Sequence, residues 1–280
     1  MTASLSAAQS AAYQRDGILF PLRVMPQSEA GIGLAQFEAL EARDGGTLSD
    51  RTNEKCHLLL PWLSDLIRDP AILDAVETFL GPNLLCWASG FIAKKPADGR
   101  YVSWHQDSTY WSLSSPEVLT AWVAMTPSTP ESGCMQVIPG THTRDQLPHR
   151  ETFAEANLLS RGQEIAVSVD PEQAVNVCLR PGEMSLHHVR IVHGSGANRS
   201  PRPRVGFAIR YIPTHVRQTN LRATAMLVRG VDEYHHFEPE PVPTADFAPE
   251  AVAFHAHAVD LHMSSVYAPR PPKDATDADA

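Results

Sequence analysis

Long apolar runs are missing from this chain. Nothing in its 280 residues approaches the roughly 20 consecutive apolar residues that a membrane-spanning helix needs, so no membrane partner is expected. Positive charge is also short. Lys and Arg number 23 against 32 Asp and Glu, a formal net charge of −9, which argues against a general nucleic-acid binder because phosphate recognition needs clustered basic side chains. Cysteine is scarce and unpatterned. Cys56, Cys86, Cys134 and Cys178 form no C-x-x-C pair and no zinc-ribbon spacing, so they read as reduced, mostly buried thiols of a cytoplasmic protein. The opening "MTASLSAAQSAAYQRDG" lacks a basic segment followed by an apolar one, and no signal peptide is expected there. There is no internal repeat, no G-x-G-x-x-G after a strand and no alternation of strands with helices, which excludes a dinucleotide-binding α/β fold.

What is present is ordinary globular composition, 43% hydrophobic and 20% charged, enough to build a sizeable core. Up to about residue 82 the pattern is helical. A helix from Ser6 stops at Gly17, a short strand covers Ile18 to Leu22, a second helix runs over 27–43, and two more follow in "LPWLSDLIRD" and "PAILDAVETFLGP". Beyond Pro82 short strand-like segments separated by Gly, Pro, Asn and Asp dominate to about residue 215, the pattern of a barrel or sandwich. Residues 145–168 read as an excursion with a short helix. We therefore expect one domain over 1–268: a helical part over 1–82, a β core over 83–215 and a C-terminal extension over 216–268. The small, Pro-rich and acidic stretch 269–280 reads as a disordered tail.

The chemistry concentrates in "SWHQDSTYW". His105 and Asp107 lie two apart in a run of β-formers, and alternate residues of a strand share a face. A base and a carboxylate converging in this way supply two ligands to a divalent ion. The third must come from elsewhere, and "LHHVRIVHGSGANRSPRPR" offers His187, His188 and His193. Two histidines and one carboxylate leave the opposite coordination positions open, as in non-haem Fe(II) oxygenases. A guanidinium nearby suits a dicarboxylate bound through one end to the metal and through the other to arginine. Arg204 leads Arg202 and Arg210 for that role. Arg210 alternates with Ala208 and Gly206 and is a second candidate for an anionic group.

The segments "YQRDGILF", "WHQDSTYW", "AWVAMTPSTPESGCMQVIPGTH" and "PGEMSLHHVRIVHGSGANRSPRPRVGFAIRYIP" resemble the phytanoyl-CoA dioxygenase-like branch of the Fe(II)/2-oxoglutarate oxygenases, in order and spacing from about residue 5 to 215. The resemblance implies a mainly β fold with flanking helices around a double-stranded β-helix, the cupin-like jelly roll. It implies Fe(II) on His105, Asp107 and His193, O2 as oxidant, and 2-oxoglutarate held by Arg204 and Ser195 with contacts from Trp122, Gln106 and Lys55. Halogenating relatives carry a small residue in place of the metal carboxylate, so Asp107 implies hydroxylation or another oxidation instead of halogenation. Trp104, Tyr110, Trp111, His188 and Arg210 are the candidates for touching substrate, each with a plain packing or solvation role as its alternative. The expected substrate is a small polar metabolite or natural-product intermediate, acted on by a monomer or homodimer. A non-oxidative jelly-roll isomerase or hydrolase, or a non-catalytic binding protein, is the competing expectation.

Overall fold

The computed structural model describes residues 5–159, 161–167 and 170–266. Its N-terminal helices begin and end where the capping residues dictate. Ser6 caps α1 (Ala7–Asp16) by accepting from the Gln9 amide while the Gln9 side chain reaches back to the Ser6 amide, and Gly17 closes the helix at φ 74. Strand β1 (Ile18–Arg23) leads to α2 (Gln27–Arg43), followed by α3 (Asp50–Asn53) and α4 (Pro61–Leu66). The last is shorter than its sequence suggests, because Asp69 precedes a proline and is pushed to ψ 125, out of the helical region. Asp69 instead caps α5 (Pro70–Leu80) through the Ala71 amide.

The strands then follow in order: β2 (Leu84–Lys94), β3 (Val102–His105), β4 (Leu119–Ala124), β5 (Gln136–Ile138), β6 (His149–Arg150), β7 (Glu164–Ile165), β8 (Val175–Asn176), β9 (Glu183–His188), β10 (Val192–Ser195), β11 (Arg204–Pro213), β12 (Thr224–Arg229) and β13 (Glu238–Pro239), with α6 (Pro249–Val266) last. They form a seven-stranded sheet in the order β1-β9-β4-β11-β2-β12-β13 and a four-stranded sheet in the order β3-β10-β5-β8. This is the jelly roll with flanking helices that the resemblance implies. Within 145–168 the described residues form the β6–β7 hairpin, with no helix among them. The C-terminal extension adds β12, β13 and α6. The expected tail, 269–280, lies outside the described residues.

The large sheet is covered on both faces, and every residue of β4 is buried. One face carries Leu119, Ala121, Val123, Leu186, Phe207, Ile209 and Tyr211 into the helices, against Phe37, Leu40, Leu63 and Leu73. The other carries Trp122, Ala124 and Ala208 toward Val137 and Ile191 of the small-sheet side. Strict alternation along each strand therefore separates a helix-facing hydrophobic core from an inward face free to hold polar groups.

Candidate metal and co-substrate site

Pairing of β3 with β10 sets His105 directly opposite His193, with ring centroids 4.1 Å apart. The strand ends at His105, two residues short of Asp107, which a shared strand face would include. Gln106 is nonetheless extended (φ −118, ψ 131) before a single 3-10 turn begins at Asp107, so the acid still meets the base. Asp107 Oδ1 is 3.2 Å from His105 Nε2 and 3.9 Å from His193 Nε2. One ligand atom from each residue falls within 4.8 Å of the others.

Backbone carbonyls fix the tautomers. His105 Nδ1 lies 2.9 Å from the Ser103 carbonyl and His193 Nδ1 lies 3.0 Å from the Ile191 carbonyl. A carbonyl only accepts, so each Nδ1 carries a proton, which leaves each Nε2 turned toward Asp107 as the atom available to a metal ion. Burial holds His193 down at about 3 and the adjacent His187 at about 4, so both are neutral at physiological pH. Burial alone would raise Asp107, but its electrostatic interactions with His193, His105 and His187, a hydrogen bond from His105 among them, outweigh it and hold the carboxyl well below its usual range. Neutral imidazoles beside an ionised carboxylate fit a divalent iron ion with positions left open.

These values have a consequence for folding. An unfolded histidine titrates near ~6.5, above the buried values, so the unfolded chain takes up protons first as pH falls. Stability contributed by neutral His187 and His193 is therefore complete above that pH and declines as pH drops toward 4. The urea midpoint of the metal-free protein is expected to fall steadily from pH 7.5 to 5; an unchanged midpoint over that range contradicts this assignment.

A cavity of about 180 Å³ opens beside the triad. At one end Arg204, 2% exposed, makes no hydrogen bond or ion pair among the described residues, and its Nε is buried without a partner. Burial lowers it to about 10, so it remains a cation. Its guanidinium lies 5.1 Å from the Trp122 ring. The indole occupies the space where a Cβ of Gly206 would stand, which is why that strand position is glycine. Register brings Lys94 opposite Arg204. Lys94 Nζ donates to Ser195 Oγ at 2.6 Å and to the Gly196 carbonyl at 2.5 Å. With one lone pair of Ser195 Oγ taken by Lys94, the hydroxyl proton is free to donate. An unpaired buried guanidinium beside a hydroxyl donor fits the free carboxylate of a diacid.

The structure brings His105, Asp107, His193, Arg204, Ser195, Trp122 and Arg210 to this cavity and leaves the other candidates outside it. Lys55 is not among the residues lining it: its ammonium donates to Glu240 Oε1 at 2.6 Å and to the carbonyls of Trp87 and Thr224. Gln106 is likewise committed, its amide donating to the Arg190 carbonyl and accepting from the Leu147 amide. Trp104 packs with Ile138, Ile165 and Val192. Tyr110 is buried beneath Arg161. Trp111 leans on Trp87 and lines a separate groove. His188 accepts from the Arg190 amide and faces His142. Sequence reasoning missed Lys94 and Thr120; what places them is strand register, which no local motif announces. All four cysteines are free, with Cys178 the exposed one.

A jelly roll holding a two-histidine, one-carboxylate cluster beside an unpaired buried arginine defines the class of Fe(II)- and 2-oxoglutarate-dependent oxygenases. Within it, the family model described as phytanoyl-CoA dioxygenase (PhyH) matches residues 13–206, and the chain belongs to that family. The non-heme monooxygenase ThoJ in its apo form superposes with a TM-score of 0.83 at 34% identity, covering 92% of this chain and 97% of that one. CytC3 with Fe(II) and alpha-ketoglutarate gives 0.62 at 25% identity, covering 87% and 100%. A probable alpha-ketoglutarate-dependent hypophosphite dioxygenase of Stutzerimonas stutzeri is 32% identical over 152 residues, 54% of this chain and 52% of that protein. The chain thus spans about half the length of the curated relatives it matches. Among the described residues no helix is long and apolar enough to cross a membrane.

Proposed function

We propose that this protein is an Fe(II)- and 2-oxoglutarate-dependent dioxygenase that hydroxylates an unactivated C–H bond of a small polar metabolite or natural-product intermediate. The observation that carries the reading is the pairing of the His105, Asp107 and His193 cluster with an unpartnered Arg204 in one cavity. When bound, the iron and 2-oxoglutarate activate O2, with succinate and CO2 as the products of the co-substrate. The chain supplies the rest. His105, Asp107 and His193 hold the ion and keep the other side of it open. Arg204, with the Ser195 hydroxyl, takes the far carboxylate of 2-oxoglutarate, and Lys94 orients that hydroxyl. Trp122 walls the co-substrate end and excludes water. Asp107 fills the position that halogen chemistry needs empty, which favours hydroxylation. The net charge of −9 offers no basic rim for an acyl-CoA, which favours a small polar substrate.

A non-oxidative isomerase or hydrolase, or a non-catalytic binding protein, would have no 2-oxoglutarate for Arg204 to anchor beside the metal cluster. Anaerobic reconstitution with Fe(II) and 2-oxoglutarate, followed by O2, is expected to yield succinate. Absence of succinate together with absence of the visible Fe(II)–2-oxoglutarate charge-transfer band overturns the reading. Arg204→Leu is expected to raise the 2-oxoglutarate requirement about 10- to 100-fold, the worth of a hydrogen-bonded charge, while iron binding persists. Unchanged 2-oxoglutarate saturation in that variant removes Arg204 from its role.

A further inference from the structure

A second unpaired arginine faces the same cavity. Arg210 lies six residues along β11 from Arg204, at even spacing and therefore on the same inward face. Its guanidinium makes no hydrogen bond or ion pair among the described residues, and its Nε is buried without a partner. The Trp111 ring flanks it at 5.8 Å. Across the sheet, Arg210 pairs with Thr120 and Thr120 pairs with His187. The three side chains thus form one row over β11, β4 and β9, all lining the cavity. Thr120 Oγ1 and His187 Nδ1 are also buried without partners, and His187 Nε2 is 3.9 Å from Asp107 Oδ2.

A buried polar group left unsatisfied destabilises the fold, and three consecutive ones in a row are unexplained by packing. Six strand residues separate Arg210 from Arg204, about 20 Å at ~3.3 Å per residue. The two arginines therefore enter the cavity from well-separated strand positions, which leaves Arg210 available to a ligand other than a diacid seated on the triad and Arg204.

We propose that Arg210 and Thr120 bind an anionic group, a carboxylate or phosphorus oxyanion, of the primary substrate, with His187 contacting the substrate between that anchor and the triad. This rests on the function proposed above and deepens it: the substrate is an acid, held at the end of the cavity opposite the 2-oxoglutarate carboxylate. Arg210 supplies a planar fork for two anionic oxygens, and Thr120 supplies a hydroxyl donor beside it.

The test uses the full chain loaded with Fe(II) and saturating 2-oxoglutarate under nitrogen, titrated calorimetrically with benzoate, methylphosphonate and the neutral benzamide. At least one of the two anions is expected to bind, and Arg210→Leu is expected to weaken it about 10- to 100-fold. Arg210→Lys should fall between, and Thr120→Val, which keeps the shape, should weaken it severalfold. Benzamide should not distinguish wild type from Arg210→Leu. The proposal is overturned if neither anion binds wild type, if Arg210→Leu and Thr120→Val bind the anion as wild type does, or if 2-oxoglutarate displaces it competitively. The outcome for the co-substrate is separate. Wild type that fails to bind 2-oxoglutarate sinks the oxygenase reading, whereas normal 2-oxoglutarate binding in Arg210→Leu with unchanged anion binding sinks the substrate anchor alone.

Discussion

Asp107→Ala is expected to abolish succinate formation, a loss of more than about 10³-fold, while leaving a folded protein. The carboxylate is the only anion of the triad, and it stands 3.2 and 3.9 Å from the two imidazole nitrogens that would share the ion. Removing it leaves two neutral nitrogens facing a divalent cation, so charge compensation disappears along with a ligand. Metal that binds only the folded state raises its melting temperature. Wild type should therefore be stabilised by added Fe(II), or by Ni(II) as a redox-silent substitute, and Asp107→Ala should lose that increment. The metal-free variant should stay folded but melt below wild type, because in the folded chain the interactions of Asp107 with His193, His105 and His187 outweigh the burial cost of its charge. Asp107→Asn keeps the shape and loses the charge, and separates the two contributions. Succinate production within tenfold of wild type in Asp107→Ala would show that the acid is not a metal ligand.

How much of this site was legible in sequence depends on the distance over which each interaction is specified. Ser6, Gly17, Asp69 and Pro70 act within a turn of their own positions, and the helices they bound are where the sequence places them. His105 and Asp107 are also a local pair, legible as a motif, although the strand that carries them is shorter than the β-formers around it suggest. His193 was separable from His187 and His188 only through the surrounding "HGSGANRS" pattern. The geometry agrees: His193 lies opposite His105 in the ladder, and His188 falls at the end of its strand facing His142. Trp104, Tyr110 and Trp111 show the limit. Their sequence neighbourhood puts them beside the metal motif, yet Trp104 alternates with His105 onto the other face of β3, and past the 3-10 turn at Asp107–Tyr110 Trp111 packs on Trp87 and reaches the cavity only through Arg210.

Lys94 and Thr120 mark a different limit. Each is unremarkable in its own segment and acquires a role only from the strand opposite: Lys94 from Arg204, Thr120 from both Arg210 and His187. Cross-strand register is set by the whole sheet, by which faces bury apolar side chains, and a single chain read locally does not contain it. The alternation of Arg204 with Arg210, by contrast, is a within-strand fact and was visible. The two arginines and the rows they begin therefore record the same principle from opposite sides.

Glu240→Ala is expected to destabilise the protein by about 3–5 kcal/mol, the cost of stranding a buried charge. Glu240 sits on the C-terminal extension, whose purpose the sequence did not reveal, and its carboxylate is wholly buried with three partners. Lys55 Nζ approaches Oε1 at 2.6 Å, His57 Nε2 approaches Oε2 at 2.9 Å, and the Thr224 hydroxyl donates to Oε1 at 2.6 Å. Burial pushes the acid up, but Lys55 and His57 outweigh it and bring it down to about 2. Removing the carboxylate leaves the Lys55 ammonium, 1% exposed, with two carbonyls and no counter-charge. Glu240→Gln should cost less, because it preserves shape and one acceptor. The double variant Lys55→Met with Glu240→Ala should recover much of the loss, since no charge is then left unpaired. Urea unfolding of the four proteins measures the coupling, and additive single losses would show that the pair is not a unit. Through Lys55 the network joins the segment after α3 to β2, β12 and the residue following β13. The extension is thereby locked onto the helical part, closing the end of the large sheet away from Arg204.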